Sequence, residues 1–163
     1  MIQLFKPNIT EQAIDEVAKV LRSGWIGLGP KTQEFEEAFA KYVGAKYCIA
    51  LNSCTAALHL AVKLLDLPEG SEVITTPMTF ISTNEVLLYE RLIPVFADVE
   101  YGTLNIDVRD IENKITKKTR AIMIVHYGGQ PCDLEEIYQL ADYHNLAVIQ
   151  DAAHACGATY KGK

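Results

Sequence analysis

Asp151 closes the apolar run Val148-Ile149-Gln150, and His154 follows after two alanines. A carboxylate delivered by a strand end can hold a protonated ring nitrogen, and a pyridinium kept charged in this way is an electron sink. His154 reads either as a group that fixes the aspartate or donates to a ring oxygen, or as a structural histidine with its hydrogen bonds satisfied. Asn52-Ser53-Cys54-Thr55-Ala56-Ala57-Leu58 brings small and hydroxylated residues to the start of a helix. First-turn amides, the positive end of the dipole and nearby hydroxyls there can cradle a phosphate, although the same residues also make an ordinary helix cap. In Thr79-Phe80-Ile81-Ser82-Thr83 an aromatic ring follows a strand and Pro77. Phe80 can stack on a flat heteroaromatic ligand or serve as a core residue where a helix begins.

These places matter only if strands and helices present them together. Apolar residues at Ile9, Ala13, Ile14, Val17, Val20 and Leu21 predict an amphipathic helix with Thr10 as a cap, ending near Ser23-Gly24. The stretch Gly24-Trp25-Ile26-Gly27-Leu28-Gly29-Pro30 is a loop, and a second helix over Thr32–Val43 places Phe35, Phe39 and Tyr42 on one face. Strands are then expected at Tyr47–Leu51, Val73–Thr76, Ile93–Ala97, Ala121–Val125 and Ala147–Gln150. Helices are expected at Thr55–Leu65, Ile81–Tyr89, Val108–Lys114 and Leu134–Tyr143. The alternation predicts an α/β domain whose mainly parallel sheet is covered by helices on both faces, with ligands beyond the carboxyl ends of the strands. Ala158-Thr159-Tyr160 reads as one more strand, just begun when the sequence stops, so the large domain is expected to be incomplete at its C-terminus.

The formal net charge of -6 and the scattered lysines argue against nucleic acid as a partner. No signal-peptide pattern and no membrane-length apolar run is present, which makes the cytoplasm the expected compartment. Cys48, Cys54, Cys132 and Cys156 form no CxxC pair and read as reduced packing residues, with no metal site expected. His126-Tyr127-Gly128-Gly129 ends a strand and serves a turn as readily as a ligand. His59 and His144 fall in helical patterns, and no P-loop or GxGxxG loop occurs.

Taken in order, several segments resemble the DegT/DnrJ/EryC1/StrS family, also called the ArnB-like sugar aminotransferases, within the fold type I (aspartate aminotransferase-like) pyridoxal-phosphate enzymes. They are Leu4-Phe5-Lys6-Pro7, Ser23-Gly24-Trp25-Ile26 to Gly29-Pro30, Phe35-Glu36 and Ser53-Cys54-Thr55-Ala56-Ala57-Leu58-His59. Val73-Ile74-Thr75-Thr76-Pro77-Met78-Thr79-Phe80, Pro94-Val95-Phe96-Ala97-Asp98-Val99, His126-Tyr127-Gly128 and Asp151-Ala152-Ala153-His154-Ala155 complete the series. The resemblance implies pyridoxal 5'-phosphate as cofactor, with Thr55 and Ala56 on its phosphate, the small Cys54 in the same turn, and Phe80 stacked on the ring. It also implies Asp151 at the ring nitrogen, His154 near the ring oxygen, and the loop containing Trp25 and Gly27 at the substrate entrance. The implied reaction moves an amino group from glutamate to a nucleotide-linked keto sugar in a homodimer, with polysaccharide biosynthesis as its setting. The lysine that holds the cofactor as a Schiff base is expected beyond Lys163, so this chain alone is expected to be inactive. A sugar dehydratase of the same fold, with histidine for that lysine, and a shorter non-catalytic interaction protein are the competing readings. Residues 1–45 are expected to form a helical segment with the entrance loop, and 46–163 the first part of the cofactor-binding domain. Gln150 and Cys54 depart from the family pattern, which often has an acidic residue and a glycine at these places.

Overall fold

The computed structural model describes residues 6–162. Leu4, Phe5 and Lys163 of the stretches named above therefore lie outside the described residues. The chain forms two compact units, Met1–Ala50 and Leu51–Lys163.

The first unit contains α1 (Glu11–Ser23) and α2 (Pro30–Val43). Thr10 caps α1 by accepting from the Ala13 amide at 3.2 Å, and Gly24 ends it in the left-handed conformation that a residue without Cβ adopts freely. Pro30 opens α2, where its missing N–H costs nothing, and Phe35, Phe39 and Tyr42 line up along one face. Tyr47–Leu51 has no regular structure and pairs with no strand among the described residues, so the strand expected there is not formed. A β-rich run needs a ladder partner to become a strand, and the Ala50 amide donates instead to Glu36 Oε1 at 2.7 Å.

The second unit is built on β1 (Glu72–Thr75), β2 (Ile93–Phe96), β3 (Thr119–Val125) and β4 (Ala147–Asp151). All pairings are parallel and the order is β2-β1-β3-β4. Four helices accompany them: α3 (Cys54–Leu64), α4 (Ile81–Tyr89), α5 (Val108–Lys114) and α6 (Leu134–His144). Successive strand residues point to opposite faces, so the apolar runs feed two cores. Val73, Ala121, Met123 and Ile149 pack with Leu58 and Val62 of α3 and Val86 and Leu87 of α4. Ile74, Ile122 and Ile124 pack with Ile111 of α5 and Ile137 and Ala141 of α6. The strand expected at Ala158–Tyr160 is absent: the segment is irregular between turns at 156–157 and 161–162, and the Tyr160 hydroxyl accepts from the Glu135 amide on α6. No helix among the described residues is long and apolar enough to cross a membrane, and none of their acidic, histidine and cysteine side chains group as a metal site.

Candidate functional site

The carboxyl ends of β1, β3 and β4 and the first turns of α3 and α4 gather most of the chemistry-bearing residues. Asp151, the last residue of β4, is 6% exposed. Its Oδ2 accepts from the Thr83 hydroxyl at 2.7 Å and its Oδ1 from the Ala153 amide at 3.1 Å. Each oxygen thus has one donor and keeps one acceptor direction, which leaves the carboxylate oriented and able to take a further N–H.

Ser53 caps α3, its hydroxyl accepting from the Ala56 amide at 3.1 Å. The amides of Cys54 and Thr55 are the first two of that helix and have no intrahelical acceptor. The Thr55 hydroxyl lies 2.8 Å from that of Ser82, in the first turn of α4. Partial burial, and then the negative charge of Asp151, push the Cys54 thiol above its ordinary value. Cys54 therefore stays neutral near pH 7 and adds no negative charge beside the free amides.

Phe80 caps α4 with extended backbone and is 75% exposed. Within this chain the ring belongs to neither core cluster. His154 does not fix Asp151, as one sequence reading had it; its Nδ1 accepts from the Gly128 amide at 3.3 Å. That acceptor role puts the imidazole proton on Nε2, where it is available as a donor from an exposed side chain. Gly129, with φ +85, lies so close beneath His154 that a Cβ would come within 2.9 Å of its carbonyl oxygen.

On the opposite face of β4 is a network that sequence reasoning missed. His126 is buried, its Nδ1 accepting from the Cys132 amide at 3.1 Å and its Nε2 lying 2.9 Å from Gln150 Oε1. Acceptance at Nδ1 makes Nε2 the donor, and the Gln150 amide nitrogen passes the chain to the Tyr138 hydroxyl at 2.6 Å. Gln150 therefore completes a neutral structural network, which gives a physical reason for an amide at this position. Asn105, also missed, clamps the same loop by accepting from the Tyr127 amide and donating to the carbonyls of Gln130 and Pro131.

In the first unit, Trp25 and Gly27 line a groove of about 390 Å³ with Val20, Ser23 and Pro30. The Trp25 ring lies over Gly29, where a Cβ would approach it to 3.1 Å.

A parallel α/β sheet with a buried carboxylate and a helix N-terminus at its carboxyl end defines a class of ligand-binding enzyme domains. Residues 7–163 match the DegT/DnrJ/EryC1/StrS aminotransferase family, and the chain belongs to it. The spore coat polysaccharide biosynthesis protein SpsC of Bacillus subtilis is 49% identical over 155 residues, covering 95% of this chain and 40% of SpsC. The UDP-4-amino-4-deoxy-L-arabinose–oxoglutarate aminotransferase of Shewanella sediminis is 45% identical, covering 99% of this chain and 42% of its own. Among solved structures, the putative sugar aminotransferase Spr1654 of Streptococcus pneumoniae in its PLP form superposes with a TM-score of 0.94 at 35% identity, covering 99% of this chain and 45% of that one. The same protein has also been solved in a PMP form. The chain thus spans less than half the length of each of these relatives.

Proposed function

We propose that this chain supplies the phosphate and ring-nitrogen contacts of a pyridoxal-phosphate-dependent aminotransferase that converts a nucleotide-linked keto sugar to an amino sugar, with glutamate as donor. The observation that carries the reading is Asp151: a buried carboxylate at a strand's carboxyl end, held by two donors and open to a third. The residues present fit the cofactor. The free amides of Cys54 and Thr55 and the Thr55 hydroxyl suit a phosphate, and Phe80 presents an exposed ring to stack on a flat heterocycle. His154 offers an Nε2 proton to a ring oxygen, and the Ala56 amide can exchange its bond to Ser53 for one to the phosphate.

Bound there, pyridoxal phosphate supplies the electron sink and carries the amino group between donor and acceptor. Asp151 would hold the proton on the ring nitrogen, and α3 would direct its positive end at the phosphate. We take the cofactor-linking lysine to lie outside the described residues. Lys63, Lys114 and Lys161 are held in ion pairs by Glu90, Asp110 and Glu135, and Lys117 and Lys118 precede β3, at the other end of the strands from the candidate site. The sugar substrate is supported by the names of SpsC and the Shewanella aminotransferase, and the Trp25–Pro30 loop is the proposed substrate entrance. We place the active form as a cytoplasmic homodimer.

Glutamate-dependent amination of a UDP-linked keto sugar by the full-length protein tests this function. Asp151→Ala should lower its turnover by about 30-fold or more, the worth of a hydrogen bond to a charged group. Turnover that is indifferent to pyridoxal phosphate, or to Asp151→Ala, would defeat the reading.

A further inference from the structure

We propose that the first turn of α4 is the alignment element of the cofactor site, with Ser82 a positioning residue for Thr55 and Thr83 a positioning residue for Asp151. The inference rests on the cofactor reading above. Ser82 and Thr83 are buried, at 6% and 0% exposure, and each makes a side-chain bond to a different end of the site. Neighbouring helix residues point about 100° apart, so one turn can address α3 and β4 at once. Phe80, the residue available for stacking, caps the same turn.

Proton accounting gives these bonds a direction. The Thr83 hydroxyl has a single proton, and an ionised Asp151 can only accept, so that proton goes to Oδ2. The 2.8 Å contact between Thr83 and Thr79 must then run from the Thr79 hydroxyl to Thr83. Thr79, Thr83 and Asp151 thus form one directed chain. At the other end, Thr55 can aim its proton at a phosphate only if Ser82 donates to it. Asn84 anchors the turn, its Oδ1 accepting from the Thr75 hydroxyl at 2.9 Å and its Nδ2 donating to the Thr76 carbonyl at 3.1 Å. The end of β1 thereby fixes the turn, and the turn fixes the span between phosphate and ring-nitrogen contacts before a ligand arrives. Preorganisation of this kind removes an ordering cost from binding.

The test compares the affinity of the full-length protein for pyridoxamine 5'-phosphate, its 1-deaza analogue and unphosphorylated pyridoxamine, none of which needs the linking lysine. Wild type should prefer the ring nitrogen by about tenfold or more, the scale of a charge-assisted hydrogen bond. Thr83→Val should erase most of that preference and leave the phosphate preference unchanged, and Thr83→Ser should restore it. Ser82→Ala should do the reverse, reducing the phosphate preference by about threefold or more while sparing the nitrogen preference. Thr83→Ala provides the same reading should valine prevent folding. A folded hydroxyl-free variant that keeps the wild-type nitrogen preference, or variants that weaken both preferences together, would overturn the inference. Wild type that ignores the ring nitrogen would instead remove the assignment of Asp151, and this inference with it.

Discussion

Gly129 has little freedom to change. Its φ of +85 is strained for any L side chain, and the added Cβ would stand 2.9 Å from the His154 carbonyl oxygen. Backbone on both sides of that contact is tied down, by the Gly128 amide to His154 Nδ1 and by Asn105 across the loop. Neither can move away without breaking a bond. Gly129→Ala should therefore destabilise the protein by about 1–3 kcal/mol, read as a lower urea midpoint at an unchanged slope. It should also weaken pyridoxamine 5'-phosphate binding, because it displaces His154, the proposed donor to the ring oxygen. An unchanged midpoint would mean that the loop yields at no cost.

At the scale of elements, legibility in the sequence followed how local each cause was. Ile81–Tyr89 and Val108–Lys114 match the expected helices, and the second carries its start signal in the adjacent Asp107, which accepts from the Arg109 amide. Asp151 and Thr55 were visible as well, since a residue's place after a strand or before a helix can be read along the chain. Ser82 and Thr83 were not: their partners stand 27 and 68 residues away, and no spacing announces them. Tyr47–Leu51 failed for the complementary reason, because β propensity supplies no ladder partner. The cap of α3 offers a test at this scale. Ser53→Ala removes the acceptor of the Ala56 amide and should cost about 1 kcal/mol of stability without ligand. With saturating pyridoxal phosphate the cost should shrink, because the phosphate supplies the acceptor that serine gave. A cost equal in both conditions would place the phosphate elsewhere.

For the molecule as a whole, every displaced carboxylate among the described residues is displaced in the same direction. Hydrogen bonds and charge from Lys19 and Lys31 lower Glu16, bonds from His59 and Lys63 lower Glu90, Arg109 lowers Asp107, and Lys161 lowers Glu135. A carboxylate lowered on folding contributes stability above its unfolded value, here 4.5 for glutamate and 3.8 for aspartate, and loses it as pH falls through the lower folded value. Lys31 and Lys161 are raised by Glu34 and Glu135, so their contribution is complete below 10.5 and lost only as pH rises through the raised folded values. Between about pH 5 and pH 10 the lysine and arginine pairs therefore leave stability flat. Below that window the urea midpoint should fall on acidification to pH 3, and Glu90→Gln should reduce the fall by removing the link from α3 to the end of α4. The lysine and arginine partners are solvent-exposed, so 1 M salt should flatten the acid limb by screening them. An acid limb indifferent to both salt and Glu90→Gln would show that these surface pairs do not set the pH dependence.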